Sequence, residues 1–441
     1  MITTSLLLLA NTQDVVVEDI NLDGQLDIIL DVKDNLTDVP VGISLVVMEK
    51  KQSTWQEGSR ISLGQKPIFW QIHQGIWGIT AAGLVDLQTQ QKYISQSTWL
   101  EGLSKSTPKK AQFVYDINHD GVVELFLVDS AGTWVQSQNG TKWGSIRPSA
   151  EGSLREYSKT GGVQLEVAKR SQPMVVGDVN ADGLDDILFL DSAKAQIYYT
   201  AQGVVGQRST VVSLPINVEE QFGQKQRSNN QKKELNWVEF TDINRDGTLD
   251  MLWQYWVTGE SWFGATAELG WSLGTGTGFG SAHSMALDKA VVDVRTHDVD
   301  GDGDQDIVLL STDLGVASIS KAVLSKTVSS NMTVLSFGNG TFTMLPSFKH
   351  SFSIPVDAEN AFDYMWISDK NGDGFADVLS MEGNTLQLWY ASLAGLSKQE
   401  SQTLEHRGNF VRSCHQTCVD DRIVVWDNRG QMDKATVIEW R

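Results

Sequence analysis

The chain has 441 residues, of which 41% are hydrophobic and 20% charged, so it can build a large folded core. Its 35 basic and 55 acidic residues give a formal net charge of -20, which repels nucleic acid phosphates and anionic membrane surfaces. The longest apolar run, Leu6 to Ala10, is far shorter than the roughly 20 residues of a membrane-spanning helix. We therefore expect no nucleic acid partner and no direct membrane insertion.

The first predicted element is a strand over SLLLLAN, because no basic region precedes this apolar segment as it would in a signal peptide. A nine-residue pattern follows and occurs six times: DINLDGQLD from Asp19, DINHDGVVE from Asp116, DVNADGLDD from Asp178, DINRDGTLD from Asp242, DVDGDGDQD from Asp298 and DKNGDGFAD from Asp369. Every copy has oxygen-bearing side chains at positions 1, 3, 5 and 9 and glycine at position 6. Alternate residues of a tight loop can point toward one centre, so the pattern indicates cation coordination.

Calcium fits this pattern best, because it prefers six to eight oxygen ligands, and the glycine permits the positive φ that turns the chain around an ion. Mg²⁺ requires stricter octahedral geometry, and Zn²⁺ prefers His or Cys. Acidic β-turns without metal are the alternative. We predict about six Ca²⁺ per chain, with the carbonyl of position 7 as a further ligand. The predicted ligands are Asp19, Asn21, Asp23, Gln25, Asp27, Asp116, Asn118, Asp120, Val122, Glu124, Asp178, Asn180, Asp182, Leu184, Asp186, Asp242, Asn244, Asp246, Thr248, Asp250, Asp298, Asp300, Asp302, Asp304, Asp306, Asp369, Asn371, Asp373, Phe375 and Asp377.

Short β-prone segments flank the loops, such as MVVG before and ILFL after the third copy, with no helical period. Each loop is therefore predicted to join two strands in a hairpin. Weaker strand signals with glycine turns follow in most repeats, for example GWSLGTGTGFG and VLSFGNGTFTML. Four short strands per repeat predict one blade of a β-propeller.

Two further units lack the complete motif. The motif starts are 97, 62, 64, 56 and 71 residues apart, and the first interval is too long for one blade. Within it, residues 67–83 (PIFWQIHQGIWGITAAG) predict a strand, a shortened turn and a strand. Near the C-terminus, RIVVWDNRGQMDKATVIEW keeps Gly430 and Asp433 but has Val425 and Arg429 where positions 1 and 5 should be acidic.

The predicted fold class is all-β, a β-propeller of four-stranded antiparallel sheets that occupies residues 1–441 as a single domain. Calcium-loop repeats begin near residues 14, 111, 172, 236, 291 and 362, and degenerate repeats near 66 and 419, which gives eight blades, with seven as the alternative. The C-terminal unit has only two strand signals. Pairing of the N- and C-terminal strands is expected to complete it and close the ring.

The loop D-x-[DN]-x-D-G-x-x-[DE] between two strands, together with turns such as GTGFG and GNGTF, resembles the FG-GAP or VCBS repeat of integrin α-subunit propellers. The resemblance covers nearly the whole chain and implies a propeller with Ca²⁺ in the hairpin loops of one face. Glu124 stands where the family usually has Asp. The two degenerate units and the higher blade count depart from the integrin pattern, and the family does not fix a ligand.

Three functions are compatible with the sequence. The favoured hypothesis is a binding or adhesion scaffold for a protein partner, in which calcium stiffens the loops. The alternative is a lectin, because 15 Trp could stack on sugars, although most Trp are expected in the blade core. A calcium-dependent hydrolase or polysaccharide lyase is least favoured, since the chain has no G-x-S-x-G or H-E-x-x-H motif. Structural sites suited to millimolar calcium predict an extracellular, cell-surface or periplasmic protein.

The only cysteines, Cys414 and Cys418, flank a short segment that contains His415. A disulfide across this short loop is expected rather than a zinc site, because a structural zinc normally needs four ligands. The pair therefore indicates an oxidising compartment.

Overall fold

The computed structural model describes residues 2–8, 12–18, 27–34, 42–51, 54–62, 69–80, 83–95, 109–110, 113–128, 133–137, 142–146, 152–159, 162–169, 173–218, 233–258, 264–312, 316–355, 365–382, 385–398, 402–405, 410–413, 422–426 and 434–440. Together these residues form 35 β-strands and one α-helix. Cys414 and Cys418 lie outside them.

The strands are grouped into sheets, which we number in chain order. The first strand of the chain is β1 (Ile2–Leu8). Sheet 1 contains β2 (Thr12–Glu18), β3 (Asp27–Asp34), β4 (Gly42–Lys51) and β5 (Thr54–Ser62). Sheet 2 has five strands, β6 (Phe69–Ile72), β7 (Ile76–Thr80), β8 (Gly83–Asp86), β9 (Lys92–Ser95) and β10 (Lys109–Lys110), the last pairing in parallel with β6.

Five four-stranded antiparallel sheets follow, each from consecutive strands, apart from a separate hairpin of β15 (Gly152–Lys159) and β16 (Gly162–Lys169). Sheet 3 contains β11 (Val114–Tyr115), β12 (Glu124–Val128), β13 (Thr133–Ser137) and β14 (Lys142–Ile146). Sheet 4 contains β17 (Met174–Gly177), β18 (Asp186–Asp191), β19 (Lys194–Ala201) and β20 (Val204–Ser213). Sheet 5 contains β21 (Lys233–Thr241), β22 (Asp250–Val257), β23 (Thr266–Ser272) and β24 (His283–Leu287).

Sheets 6 and 7 complete this series. Sheet 6 contains β25 (Ala290–His297), β26 (Asp306–Thr312), β27 (Thr327–Gly338) and β28 (Thr341–Pro355), with helix α1 (Val316–Ser325) between β26 and β27. Sheet 7 contains β29 (Met365–Ser368), β30 (Asp377–Glu382), β31 (Thr385–Trp389) and β32 (Gln402–Glu405). Sheet 8 joins β33 (Phe410–Ser413), β34 (Arg422–Trp426) and β35 (Lys434–Trp440) to β1, with Ile2 opposite Trp440 and Leu8 opposite Lys434.

Burial falls from the second strand of a sheet to the fourth. Strand β26 is buried along its whole length, whereas β20 and β24 are largely exposed. A strand that is buried on both faces reads as a continuous apolar run, which explains why ILFL and IVLL follow the loops. Such strands require a neighbouring sheet on each side.

The hydrophobic core consists of separate clusters, each of which lies between two neighbouring sheets. Trp77 of sheet 2 packs with Leu125 of sheet 3, and Leu188 of sheet 4 packs with Met251 of sheet 5. Equivalent clusters join sheets 3 and 4, 5 and 6, and 6 and 7. The protein is therefore an all-β β-propeller of four-stranded antiparallel sheets, as the repeat pattern predicts.

The described part of the chain contains no helix with the length and hydropathy needed to cross a bilayer.

Candidate metal centres in the blade loops

Five of the six predicted loops lie among the described residues, where each connects the first strand of a sheet to the second. The loops that start at Asp116, Asp178, Asp242, Asp298 and Asp369 belong to sheets 3, 4, 5, 6 and 7 in that order. In the first loop, Asp19, Asn21, Asp23 and Gln25 lie outside the described residues. Asp27 begins β3.

Backbone N–H groups hold the acidic side chains of each loop in place, and the Asp178 loop is representative. The carboxylate of Asp178 accepts hydrogen bonds from the N–H of Asp182 (3.3 Å) and of Gly183 (2.7 Å). Asp182 accepts from the N–H of Leu184 at position 7 (3.0 Å) and from the amide of Asn180 (3.0 Å). Corresponding bonds recur in the Asp116, Asp242 and Asp369 loops. These hydrogen bonds orient the side chains at positions 1, 3 and 5.

Two residues per loop adopt the left-handed conformation. The positive φ expected at position 6 is observed at Gly121, Gly183, Gly247, Gly303 and Gly374. Position 4 is also left-handed, although the motif shows no preference there: His119, Ala181 and Arg245 have φ of 56°, 58° and 52°. A non-glycine residue in this region is strained. The loop backbone is therefore constrained at position 4 as well as at position 6, and the motif shows only the constraint at position 6.

The acid at position 9 ties the loop to a distant strand. Asp186 is fully buried, and its Oδ2 accepts the N–H of Val179 at position 2 (3.1 Å). Its Oδ1 accepts the N–H of Thr200, at the end of the third strand of the same sheet (2.8 Å). The equivalent carboxylates, Asp250, Asp306 and Asp377, bond to Gly274, Phe337 and Ala391. Apart from Asp306 Oδ2, which accepts two N–H groups, each of these oxygens accepts one N–H group and keeps a second lone pair for a cation.

These carboxylates are unfavourable as free anions. Burial raises the pKa of Asp186 and Asp250 to about 6 and the pKa of Glu124 and Asp306 to about 7, and the other acids of each loop contribute. A bound cation would neutralise this charge and reverse the trend.

In the Asp298 loop three carboxylates converge. Oxygens of Asp298, Asp300 and Asp306 all lie within 4.8 Å of one another, a spacing that suits a shared cation. Asp300 also accepts a hydrogen bond from Ser336 Oγ (2.9 Å). Arg245, at position 4 of the preceding loop, lies 3.2 Å from Asp298. An arginine of one loop therefore forms an ion pair with a carboxylate of the next loop.

The Asp116 loop differs from the others at position 9. Glu124 is 1% exposed, and its Oε2 accepts the N–H of Ile117 (2.9 Å). Its other oxygen, Oε1, is buried and has no hydrogen-bond partner. Leaving a buried acceptor unsatisfied costs about 1–3 kcal/mol. An oxygen-binding cation fits this atom, and hard oxygen donors favour Ca²⁺.

A backbone hydrogen bond links each described loop to the next. The N–H of Asp185 at position 8 donates to the carbonyl of Ile117 in the preceding loop (2.8 Å). The N–H of Ala376 likewise donates to the carbonyl of Val299 (3.0 Å). In the remaining pairs the N–H of Gln305 donates to the carbonyl of Ile243 at position 2, and the N–H of Leu249 donates to the carbonyl of Asp178 at position 1. The motif gave no indication of this role, because position 8 varies in side chain and the bond uses only backbone.

Sheet 2 has no acidic loop of this type, and two glutamines connect it to sheet 3. Gln71 donates from Nε2 to the carbonyl of Val114 (2.9 Å), and its Oε1 accepts the N–H of Phe113 (2.6 Å) and of Val114 (2.9 Å). Gln74 Nε2 lies 3.5 Å from Asp116 Oδ2. Nothing in the sequence signals these contacts, because neither glutamine belongs to a motif.

No known family profile and no curated protein matches this chain. Among solved structures, this chain is similar to an Agrocybe aegerita lectin, whose structure is described as showing specific recognition of non-reducing terminal N-acetylglucosamine. The two chains are 14% identical over 90% of this chain and 80% of the lectin, with a TM-score of 0.44. The Dos1 propeller is 10% identical over 99% of this chain and 94% of its own, with a TM-score of 0.36. The Photorhabdus luminescens Tc holotoxin pore is 12% identical over 98% of this chain but only 19% of its own, with a TM-score of 0.32. These likenesses concern the fold alone.

Proposed function

We propose that the protein is a calcium-stabilised binding scaffold that works outside the cytoplasm and recognises a protein or glycan partner. One observation carries the proposal: four described loops repeat one hydrogen-bonded arrangement of side chains, and in one of them a buried carboxylate oxygen has no partner. Metal sites that are repeated in this way stabilise the fold and do not catalyse a reaction. We therefore propose binding, and not catalysis, as the activity of the protein.

The residues that would hold the ions are the side chains at positions 1, 3, 5 and 9 and the carbonyl at position 7. When bound, Ca²⁺ supplies positive charge that offsets the crowded carboxylates. In the Asp178 and Asp298 loops the position 9 acid also bonds to the third strand, so an ion at this place would stiffen these blades. Extracellular calcium is millimolar, which is sufficient for structural sites of modest affinity.

For the architecture we propose eight blades and a ring that is closed by the chain ends. Sheets 1 to 8 support the count, because each has four strands, or five in sheet 2. The pairing of β1 with β35 supports the closure, because it places the two ends of the chain in one sheet. The loop motif supports assignment of the repeats to the FG-GAP or VCBS type.

A rigid propeller that carries variable loops suits recognition of a partner. We favour a protein partner, and a glycan is the alternative that a ligand screen would reveal. The screen should be run with calcium and with EGTA, since a scaffold that calcium stiffens should bind its partner more weakly when the ions are removed.

The test is metal content of the untreated protein by mass spectrometry, followed by calorimetric melting with and without excess EGTA. We expect about six Ca²⁺ per chain and a melting temperature that EGTA lowers by roughly 10 °C or more. A protein that holds no metal and melts at the same temperature in EGTA would show that the loops are acidic turns.

A further inference from the structure

Two buried side-chain oxygens among the described residues have no hydrogen-bond partner, and both lie at the Asp116 loop. One is Glu124 Oε1, at position 9 of the loop. The other is Gln74 Oε1, which belongs to sheet 2. Because Gln74 Nε2 is 3.5 Å from Asp116 Oδ2, the amide of Gln74 reaches the ligand at position 1 of this loop. The side chains that carry these two oxygens, one from each of two sheets, therefore both reach one predicted ion site.

The backbone holds Gln74 in this place at a cost. It occupies the tight turn between β6 and β7, where its φ is 46°, and glycine follows it. The N–H of His73 bonds to the carbonyl of Gly75 (3.0 Å), and Trp77 Nε1 donates to the carbonyl of His73 (3.0 Å). A left-handed glutamine and an unsatisfied buried oxygen both raise the free energy of the folded state. A cation bound by this oxygen would offset part of that cost.

The chemistry of the amide is suited to such a role. A carboxamide oxygen is a neutral hard ligand for Ca²⁺, whereas the NH₂ end repels a cation. The two ends of an amide are nearly the same size, and rotation about χ3 exchanges them. After that rotation Oε1 would take the place of Nε2 about 3.5 Å from Asp116 Oδ2, a separation typical of two oxygens that share one ion.

We propose that Gln74 is a ligand of the cation in the Asp116 loop, across the boundary between two sheets and together with Glu124 Oε1. This inference rests on the proposed calcium function. Sheet 2 has no calcium loop of its own and completes the site of its neighbour. The ion would join sheets 2 and 3, where no position 8 backbone link from a preceding calcium loop is available.

The test compares Gln74→Gly and Gln74→Glu with Gln90→Gly as the matched control. Gln90 is in sheet 2 as well and has a φ of 60°, but its side chain donates to the carbonyl of Leu87. Bound calcium is counted by native mass spectrometry over a series of free calcium concentrations. As free calcium is lowered, we expect Gln74→Gly to lose one ion at a concentration roughly tenfold higher than the wild type does. Gln90→Gly should keep the wild-type number of ions at every concentration.

Two further variants, Asp116→Asn and the double variant Gln74→Gly/Asp116→Asn, test whether Gln74 and Asp116 bind the same ion. If both side chains bind the same ion, the double variant loses no more ions than Asp116→Asn does. Loss of a second ion would place Gln74 at another site and overturn the proposal.

Gln74→Glu separates a ligand from a purely structural residue. A glutamate beside Asp116 should lower the melting temperature in EGTA by repulsion and enlarge the increase that calcium produces. A wild-type calcium response in both Gln74 variants would overturn the proposal while the calcium function stands. A wild-type protein without calcium would overturn both.

Discussion

At the scale of single residues, the acid at position 9 does two jobs that conflict in the absence of a cation. Buried Asp186 accepts two backbone N–H groups, one from its own loop and one from Thr200. The same burial raises its pKa to about 6, because the charge loses its hydration. The side chain is therefore needed for the fold and is unfavourable as an isolated anion.

This conflict leads to a prediction for Asp186→Ala in metal-free protein. Removing the carboxylate leaves two buried N–H donors unpaired, so the free energy of unfolding should fall by about 2–4 kcal/mol. Asp182→Ala is the control, because Asp182 is exposed and belongs to the same loop. Its loss in EGTA should be below roughly 1 kcal/mol.

Urea titration in EGTA measures both losses. Equal losses in the two variants would show that the links to Val179 and Thr200 contribute little. In excess calcium both variants should lose stability, because each lacks one proposed ligand.

At the scale of elements, the blades fit together through side chains that occupy space left by glycine. Gly270 in β23 lies opposite Trp253 in β22, and a Cβ at Gly270 would overlap the indole ring. Trp253 is 3% exposed and belongs to the cluster that joins sheets 4 and 5. The indole therefore depends on a position without a side chain.

We accordingly predict that Gly270→Ala destabilises the protein by roughly 1–3 kcal/mol, because the indole must leave its place in the cluster. Gly338→Ala is the matched control: Gly338 lies in β27, and a Cβ there would meet nothing within 4 Å. Thermal melting, with tryptophan fluorescence as the signal, compares the two. A neutral Gly270→Ala would mean that the core of sheet 5 adjusts freely.

At the scale of the whole molecule, the loops should make stability depend on pH in the absence of calcium. The folded-state pKa of Glu124 and Asp306 is raised to about 7, above the value for unfolded chains. Such groups contribute stability below their unfolded pKa, and this contribution is lost as pH rises through the folded pKa. Burial lowers the pKa of His73, His297 and His350 below the unfolded value of 6.5, so these groups add stability as pH rises, and their effect levels off near pH 7.5.

The loss from the carboxylates is larger than the gain from the histidines, so between pH 6.5 and pH 8 the free energy of unfolding in EGTA should fall by roughly 1 kcal/mol. Calcium should cancel the fall, because it binds the ionised carboxylates and displaces their protons. Urea titrations at the two pH values, each with calcium and with EGTA, test this. Metal-free protein that gains stability over this interval would contradict it.

The sequence by itself determined the local part of this protein. Alternating oxygen donors, the glycine at position 6 and the flanking apolar runs predict a tight loop between two strands, and the described loops confirm that placement. These features could be predicted because loop and hairpin geometry depend on residues within about ten positions. The propeller of four-stranded sheets followed from repetition of the same unit.

Only the tertiary structure decided which distant groups meet at the loops. Asp306 bonds to Phe337, 31 residues away, whereas Asp186 reaches its partner after 14, because the intervening connections differ in length. Gln74 carries no motif, yet the packing of sheet 2 against sheet 3 brings it to Asp116. Such contacts depend on how whole sheets pack, and a periodic pattern in the chain contains no information about the partner across a blade boundary.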